Sequence, residues 1–169
     1  MAGKLKGFGP GNNKELMAPA FKLNAAQGGI VASWDYKQIK PLVLYFLPEP
    51  NKEFLQKLQS EAGIYQAVGT QLLVIVTAKA ERLAELPESS GLSFPLLADP
   101  QGETYKKYLA LTRTGNEAEA WIDEYPAAVF VADRFGAISR YATALRPEEL
   151  PTQSEILDFI EFLGNLCNP

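Results

Sequence analysis

Few side chains in this chain are suited to nucleophilic or acid–base chemistry at neutral pH. The 169 residues include a single cysteine, Cys167, and no histidine. The lack of histidine excludes Ser-His and Cys-His catalysis, a histidine general base and zinc sites of the usual His/Cys type. Carboxylates, lysines, tyrosines and hydroxyls are the reactive groups that remain, and we expect neither a bound metal nor a cofactor.

Cys167 is the third residue from the end of the chain. A reactive thiol needs a nearby cation or a helix N-terminus to lower its pKa from about 8.5. The last twenty residues contain no lysine or arginine, and Asn165 and Asn168 are neutral. We therefore expect Cys167 to be a helix-end residue without a catalytic role. The alternative is a redox thiol that acts in a dimer.

The loop at residues 48–52 is the second place where chemistry is expected, because it joins a buried strand to a helix. Residues 42–46 (LVLYF) form a continuous apolar run typical of a strand covered on both faces, and Pro48 and Pro50 end it. Asn51 is the predicted N-cap of the helix that follows. In thiol-dependent redox proteins with this arrangement a cysteine occupies the loop or the first helical turn, but here there is none.

Two interpretations of this helix start remain open. Glu49 and Glu53 complement the positive end of the helix dipole, which is typical of ordinary capping. Alternatively, the free backbone amides of residues 51–53, together with Lys52, bind an anionic ligand. We expect ordinary capping.

The elements that position this loop follow from hydrophobic periodicity and turn residues. A small hairpin is predicted from residues 21–23 and 30–32, and later strands at 42–46, 72–76, 94–98, 127–132 and 137–142. Helices are predicted from Asn51 to Gly69, at 79–86, at 104–109 and from Thr152, whose capping box closes on Glu155. The segment 111–125 is ambiguous, and a short helix there would end near Trp121.

Length and composition bound the function. The chain fits one domain over residues 1–169, and its first 17 residues, rich in glycine and asparagine, are expected to be a loose arm. A net charge of −4 without a basic run argues against nucleic acid as a partner. No apolar run approaches the roughly 20 residues of a membrane helix. The N-terminus lacks the apolar core of a secretory signal, and a single cysteine favours a cytoplasmic location.

Four sequence blocks occur in the order and spacing of a known family. They are residues 18–23 (APAFKL), 35–36 (DY) with 40–48 (KPLVLYFLP), 94–100 (FPLLADP) with Gly102, and 129–134 (VFVADR) with Gly136. In these blocks the chain resembles the peroxiredoxins, the alkyl hydroperoxide reductase and thiol-specific antioxidant proteins. The resemblance implies an α/β fold of the thioredoxin-like, peroxiredoxin type. That fold is a three-layer sandwich with a mixed central sheet, helices on both faces and an N-terminal β-hairpin.

The chemistry of that family does not carry over with the fold. Its signature continues from the proline at position 48 as Pro-x-x-x-Thr-x-x-Cys. Without a gap the cysteine position falls at Leu55 and the threonine position at Lys52, whereas a short gap moves the cysteine position to Lys52. The arginine that the family places before the strand at Val129 is also missing, because residues 125–128 are Tyr-Pro-Ala-Ala.

Three residues before that strand are candidates for binding. Pro126 is placed like the proline that precedes a central strand in thioredoxin folds, and Trp121 and Tyr125 lie close to it in sequence. Exposed aromatic side chains at a cleft would suit an apolar ligand or a peptide. We favour core packing for both aromatic residues. The neighbouring Asp123 and Glu124 are expected on the solvated surface.

Two hypotheses from different classes follow. The first is a non-catalytic binding or interaction module, whose protein partner or small ligand lies near Pro48, Asn51, Lys52, Trp121, Tyr125 and Pro126. The second is a thiol-dependent peroxidase that uses Cys167 or a thiol supplied by a partner. We prefer the first, because a thiol without an activating cation is a poor nucleophile. A homodimer is expected only through the family resemblance.

Overall fold

The computed structural model describes residues 6–7, 16–86, 91–112 and 126–167, except for the side chains of residues 6–7 and 162–167. This part of the chain contains nine strands and four α-helices. The strands are β1 (Lys6–Gly7), β2 (Leu16–Met17), β3 (Lys22–Ala25), β4 (Ile30–Ala32), β5 (Leu42–Leu47), β6 (Gln71–Val76), β7 (Leu96–Ala98), β8 (Ala127–Ala132) and β9 (Ala137–Ala144). The helices are α1 (Lys52–Ala67), α2 (Ala80–Ala84), α3 (Glu103–Leu111) and α4 (Gln153–Cys167).

A single mixed sheet organises the molecule, with strand order β1-β9-β8-β5-β6-β7-β3-β4 and β2 also paired to β9. Strand β5 is near its centre, parallel to β6 and antiparallel to β8. Strand β8 pairs antiparallel with β9. The predicted β5–α1–β6 unit and the predicted N-terminal hairpin of β3 and β4 are both confirmed.

The side chains of β5 alternate between two hydrophobic cores, one on each face of the sheet. Val43, Tyr45 and Leu47 pack on the side covered by α1, α2 and α4. Leu44 and Phe46 pack on the opposite side, which α3 covers. All six residues of β5 are buried, as expected for an uninterrupted apolar strand between two layers of helices. The predicted three-layer α/β fold is therefore confirmed.

Aromatic rings fill much of the core beneath α3. Phe46 stacks on Tyr105 with ring centroids 5.0 Å apart and meets Phe130 edge-on at 5.7 Å. Tyr108 packs against both Phe46 and Phe130, at 4.9 Å and 5.2 Å. Its hydroxyl donates a hydrogen bond to the carbonyl of Pro19 at 2.9 Å. This contact ties α3 to the chain just before the N-terminal hairpin.

The prediction of a wholly loose arm at residues 1–17 is wrong for four residues. Lys6–Gly7 and Leu16–Met17 form β1 and β2, which pair antiparallel with β9. Glycine and asparagine lower local β-propensity, but β9 would otherwise leave its outer backbone groups unpaired, and an edge strand readily recruits a further segment. Tertiary pairing therefore outweighs local composition at these positions.

The other element boundaries differ only slightly from prediction. Helix α2 covers Ala80–Ala84 and β9 continues to Ala144, two residues beyond its predicted end. Most of the ambiguous segment 111–125, including the predicted end of a helix at Trp121, lies outside the described residues. Within the described ranges, no helix combines the length and the apolar composition that a membrane crossing requires.

Candidate functional site

The candidate site lies at the end of the sheet where β5 finishes and β8 begins. In the β5–β8 register Phe46 is opposite Ala128, so Pro48 and Pro126, two residues further in each direction, lie at the same end. In the β8–β9 register Ala127 is opposite Ala144. The chain that leaves β9 after Ala144 therefore reaches this end as well. Pro126 is buried and Pro48 is half-buried.

A groove of about 470 Å³ opens at this end of the sheet. Two chain segments line it, the loop between β5 and α1 and the loop that follows β9. The lining residues are Leu47, Pro48, Glu49, Pro50, Asn51, Leu145, Arg146, Pro147 and Glu148. The structure therefore brings two predicted site residues, Pro48 and Asn51, into one concave surface.

Asn51 builds the start of α1. Its side-chain oxygen accepts a hydrogen bond from the backbone amide of Phe54 at 3.0 Å, and its carbonyl accepts from the amide of Leu55 at 3.0 Å. Its own backbone is extended, as an N-cap requires. The predicted cap is confirmed. One amide of the first turn is thus already satisfied by the protein itself, which leaves fewer donors for an anionic ligand.

The two alignments of the missing cysteine place it in very different environments. Lys52 is the first residue of α1 and is exposed. Leu55 is fully buried in the core between α1 and the sheet. A side chain at position 55 therefore faces away from solvent, whereas position 52 is the one that a soluble reactant can reach. Among the described residues that line the groove there is no cysteine.

The groove residues after β9 were not identified from the sequence, and Arg146 is the cation among them. It is exposed, and its carbonyl accepts a hydrogen bond from the amide of Glu149 in the 3₁₀ turn Pro147–Glu149. From the sequence, a cation was expected before Val129, and β9 was predicted to end at Ala142. A longer β9, combined with antiparallel β8–β9 pairing, would have directed attention to the residues just after it.

The charges around the groove are mixed. Arg146 contributes a cation to the groove. The exposed Lys52 follows Asn51 at the start of α1. Glu49 and Glu148 line the groove, and Glu53 lies in the first turn of α1. The carboxylates offset the positive potential of the cations and of the helix N-terminus.

Of the other predicted site residues, Lys52 and Pro126 are described by the structure and do not line the groove. Trp121 and Tyr125 lie outside the described residues, as do Asp123 and Glu124. Cys167 is the last residue of α4, and its side chain is likewise outside the described part. Among the side chains that are described, no three His, Cys, Asp or Glu residues come close enough together to hold a metal ion.

Comparison with known proteins gives a family match. The model of the AhpC/TSA family matches residues 15–140. Two proteins named as peroxiredoxins, from the CDC 1551 and H37Rv strains of Mycobacterium tuberculosis, are each 33% identical over 90 residues. That stretch is 51% of this chain and 57% of each relative. The chain therefore matches only somewhat more than half the length of these relatives.

Solved structures with low sequence identity share the fold. The reduced 2-Cys peroxiredoxin of Plasmodium vivax superposes with a TM-score of 0.72 at 17% identity, covering 92% of this chain and all of that one. AhpC of Enterococcus faecalis gives a TM-score of 0.69 at 15% identity, covering 91% and 95% of the two chains. Both establish that the backbone arrangement is that of a peroxiredoxin.

Proposed function

This chain belongs to the AhpC/TSA family, and we propose that it is a peroxiredoxin-like protein with a degenerate redox site that works as a binding module. The observation that carries the proposal is the groove between the β5–α1 loop and the loop after β9. The groove is present at the end of the sheet where the family signature begins at Pro48, but the described residues that line it include no thiol. We also propose that residues 1–169 form one thioredoxin-like domain.

The groove has the size of a ligand site. Its volume of about 470 Å³ falls within the range of roughly 300–1,000 Å³ that is typical of small-molecule sites. Three prolines and Leu145 supply apolar surface, and the prolines restrict backbone motion around it. Leu145 is 71% exposed, so it is available to a partner without any rearrangement of the core. A small ligand or a short segment of a protein partner would fit these features.

The electrostatics of the helix start favour binding over thiol chemistry. A peroxidatic thiolate needs an uncompensated positive environment, because the charged form must be favoured at neutral pH. Here Asn51 already caps α1, and Glu49, Glu53 and Glu148 surround the helix start. A polar group with both donors and acceptors suits this mixed surface better than a bare anion. We further propose a cytoplasmic location and a homodimer, which rest on the single cysteine and on the family respectively.

Thiol-dependent peroxidase activity is the second candidate, favoured by the names of the Mycobacterium tuberculosis relatives. In that reaction a thiolate attacks a peroxide oxygen and forms a sulfenic acid as the alcohol or water leaves. A second thiol then condenses with the sulfenic acid, which forms a disulfide and releases water, and a further thiol reduces that disulfide. The thiol would have to be Cys167 or come from a partner, since no other cysteine is present.

A peroxide-consumption assay separates the two candidates. Hydrogen peroxide and cumene hydroperoxide are each followed with dithiothreitol or glutathione as reductant, for the native chain and for Cys167→Ser. We expect the native chain to consume peroxide no faster than Cys167→Ser or buffer with the same thiol. Turnover that disappears in Cys167→Ser would establish Cys167 as a redox thiol. Turnover above buffer that persists in Cys167→Ser with glutathione would indicate a thiol supplied from outside.

Binding at the groove is tested by ligand-observed NMR with a set of short peptides and small organic acids and amides. Compounds that bind are then titrated into labelled protein. We expect them to shift the amide resonances of Asn51, Arg146 and Glu148, and to bind more weakly to Leu145→Asp. The matched control is Ile64→Asp, since Ile64 is also an exposed apolar residue but lies on the outer face of α1. Equal loss in both variants would argue against a groove site.

A further inference from the structure

A second concave surface lies at the opposite end of β5 from the groove. It is a small cavity beneath the start of β5 and the end of β8, and its floor is formed by Leu42, Tyr108 and Ala132. The six residues of β5 separate the two sites by roughly 17 Å, at about 3.3 Å per residue. The other lining residues are Met17, Ala18, Ala20, Ser33, Trp34, Tyr36, Lys37, Lys40, Asp133 and Gly136.

The rim of this cavity exposes large apolar side chains. Trp34 is 65% exposed and Met17 is 48% exposed. Phe135, at the tip of the β8–β9 hairpin beside Gly136, is 49% exposed. Apolar side chains that surround a cavity with an apolar floor are a recognised mark of an interaction site, whereas single exposed apolar residues are not. We call the cavity, the Met17 and Trp34 side chains that line it, and Phe135 next to the lining residue Gly136 the Trp34 surface.

Three cations stand on the Trp34 surface. The ammonium group of Lys37 lies 4.3 Å from the centre of the Trp34 ring, and the guanidinium of Arg134 lies 4.8 Å from that of Phe135. Lys40 lines the cavity itself. Among the residues that the structure describes, neither lysine forms an ion pair with a carboxylate. Their charges are therefore available to a partner.

The two carboxylates in the same region are engaged with the protein backbone. Asp35 accepts a hydrogen bond from the amide of Ala32 at 3.0 Å. Asp133 accepts from the amides of Phe135 and Ala137 at 2.9 Å and 3.0 Å. With three cations and two such carboxylates, this surface is locally positive on a chain whose net charge is −4. Its charge is complementary to an acidic partner.

The size of the cavity indicates what enters it. Its volume of about 70 Å³ holds a few water molecules, at one per roughly 10–15 Å³, and is far below the roughly 300 Å³ of the smallest common small-molecule sites. One apolar side chain matches this volume. A whole drug-sized ligand is too large for the cavity. The inserted side chain would therefore belong to a peptide chain whose other residues contact the rim.

We propose that the Trp34 surface docks an acidic peptide segment of a partner protein, with one apolar side chain in the cavity and carboxylates against Lys37, Lys40 and Arg134. The aromatic ring of Trp34 would cover the inserted side chain, since aromatic residues supply large contact area at interfaces for little loss of conformational entropy. The two cations that already lie over aromatic rings keep their charged ends at the surface, where a carboxylate can approach.

The probe is a fluorescein-labelled synthetic octapeptide with a central leucine flanked on both sides by aspartate and glutamate. Binding to the full chain is measured by fluorescence anisotropy. The indole N–H resonance of Trp34, assigned by comparison with Trp34→Phe, reports on the site. We expect saturable binding that shifts this resonance. Replacement of the central leucine of the peptide by alanine should weaken binding about tenfold, the effect of losing most of one buried leucine.

Variants of the protein distinguish this docking mode from non-specific attraction. Lys37→Glu combined with Lys40→Glu should weaken peptide binding at least about tenfold, because two attractive pairs become repulsive. The matched control combines Lys57→Glu with Lys106→Glu on the exposed faces of α1 and α3 and should change binding less than about twofold. Arg146→Ala, in the groove, should leave it unchanged. Circular dichroism confirms that each variant is folded.

Several outcomes would overturn the proposal. These are no saturable binding, equal binding of the leucine and alanine peptides, or equal loss in the two charge-reversed variants. Two other occupants are tested separately. Light scattering tests for a second copy of the chain, and sedimentation with anionic phosphatidylserine vesicles tests for a membrane. A dimer that dissociates in Trp34→Ala would mean that a second copy covers this surface. Vesicle binding that is lost in the Lys37→Glu, Lys40→Glu variant while the peptide does not bind would assign the surface to a membrane.

Discussion

The side-chain oxygen of Asn51 accepts a hydrogen bond from the backbone amide of Phe54 at 3.0 Å, which closes the first turn of α1 beside the groove. The Phe54 ring in turn meets Tyr45 of β5 edge-on, with ring centroids 5.4 Å apart. One short segment therefore links the groove to the buried strand. The same hydrogen bond occupies a donor that a ligand at the helix start would otherwise use.

Asn51→Ala should lower the free energy of unfolding by about 1 kcal/mol, because the amide of Phe54 loses its acceptor. Asn51→Asp should keep most of the stability, since aspartate caps equally well. Urea unfolding followed by circular dichroism measures both. Asn24→Ala, at an exposed position of β3, is the control and should have a smaller effect. A loss as small as that of Asn24→Ala would show that the cap contributes little.

A thiol placed at the start of α1 should be partly activated. In a Cys167→Ser background, Lys52→Cys should give a thiol with a pKa below about 8.5, because the helix N-terminus favours the thiolate. Addition of Arg146→Ala should raise that pKa by removing the groove cation. Absorbance of the thiolate at varied pH provides the measurement.

The control for the introduced thiol is Gln56→Cys in the same background. Gln56 is exposed on α1 one turn further along, where the effect of the helix terminus has largely fallen off. Its thiol should therefore titrate closer to the ordinary value. If both thiols have the same pKa, the three glutamates around the helix start have cancelled its positive potential.

Tyr65 should make the protein less stable as the pH rises above 10. Burial raises the pKa of Tyr65 from 10.0 to about 12. Between these two values the unfolded chain has released the phenolic proton and the folded chain still holds it. The free energy of unfolding therefore falls as pH rises through this window, by at most about 1.4 kcal/mol per pH unit for this one group.

Tyr65→Phe removes that contribution. Urea unfolding at about pH 9 and about pH 11 should show a smaller loss of stability for Tyr65→Phe than for the native chain. Burial also raises the pKa of Tyr45, so part of the alkaline loss should remain. An unchanged loss in Tyr65→Phe would mean that Tyr65 titrates at its ordinary pKa.

Asp99 should be important for the docking of α3. It is 96% buried, since only 4% of its surface is exposed, and its two carboxylate oxygens accept hydrogen bonds from the amides of Thr104 at 3.4 Å and Tyr105 at 3.0 Å. Asp99→Ala leaves both amides without this acceptor and should cost about 1–3 kcal/mol of unfolding free energy. Urea unfolding tests this, with Asp158→Ala on the exposed side of α4 as control. Equal effects of the two substitutions would contradict the assigned role.

Local patterns were sufficient to predict most of the elements around the site. Strand β5 is a continuous apolar run, and α1 buries the residues that recur at helical spacing behind its cap. Gly69 ends α1 with a positive φ of 71°, a conformation that glycine adopts without strain. Each of these signals depends on neighbours within a few positions, so a single sequence contains all of the necessary information.

The sequence by itself determined the fold class and the absence of a thiol at the start of α1, because apolar periodicity, an N-cap and a missing residue type are local properties. Only the tertiary structure decided that Arg146 lines the same groove as Asn51, and that β1 and β2 pair with β9. Both outcomes depend on which strands become neighbours. Strand pairing is settled by backbone hydrogen bonding and burial between segments far apart in the chain, and no local pattern specifies that choice.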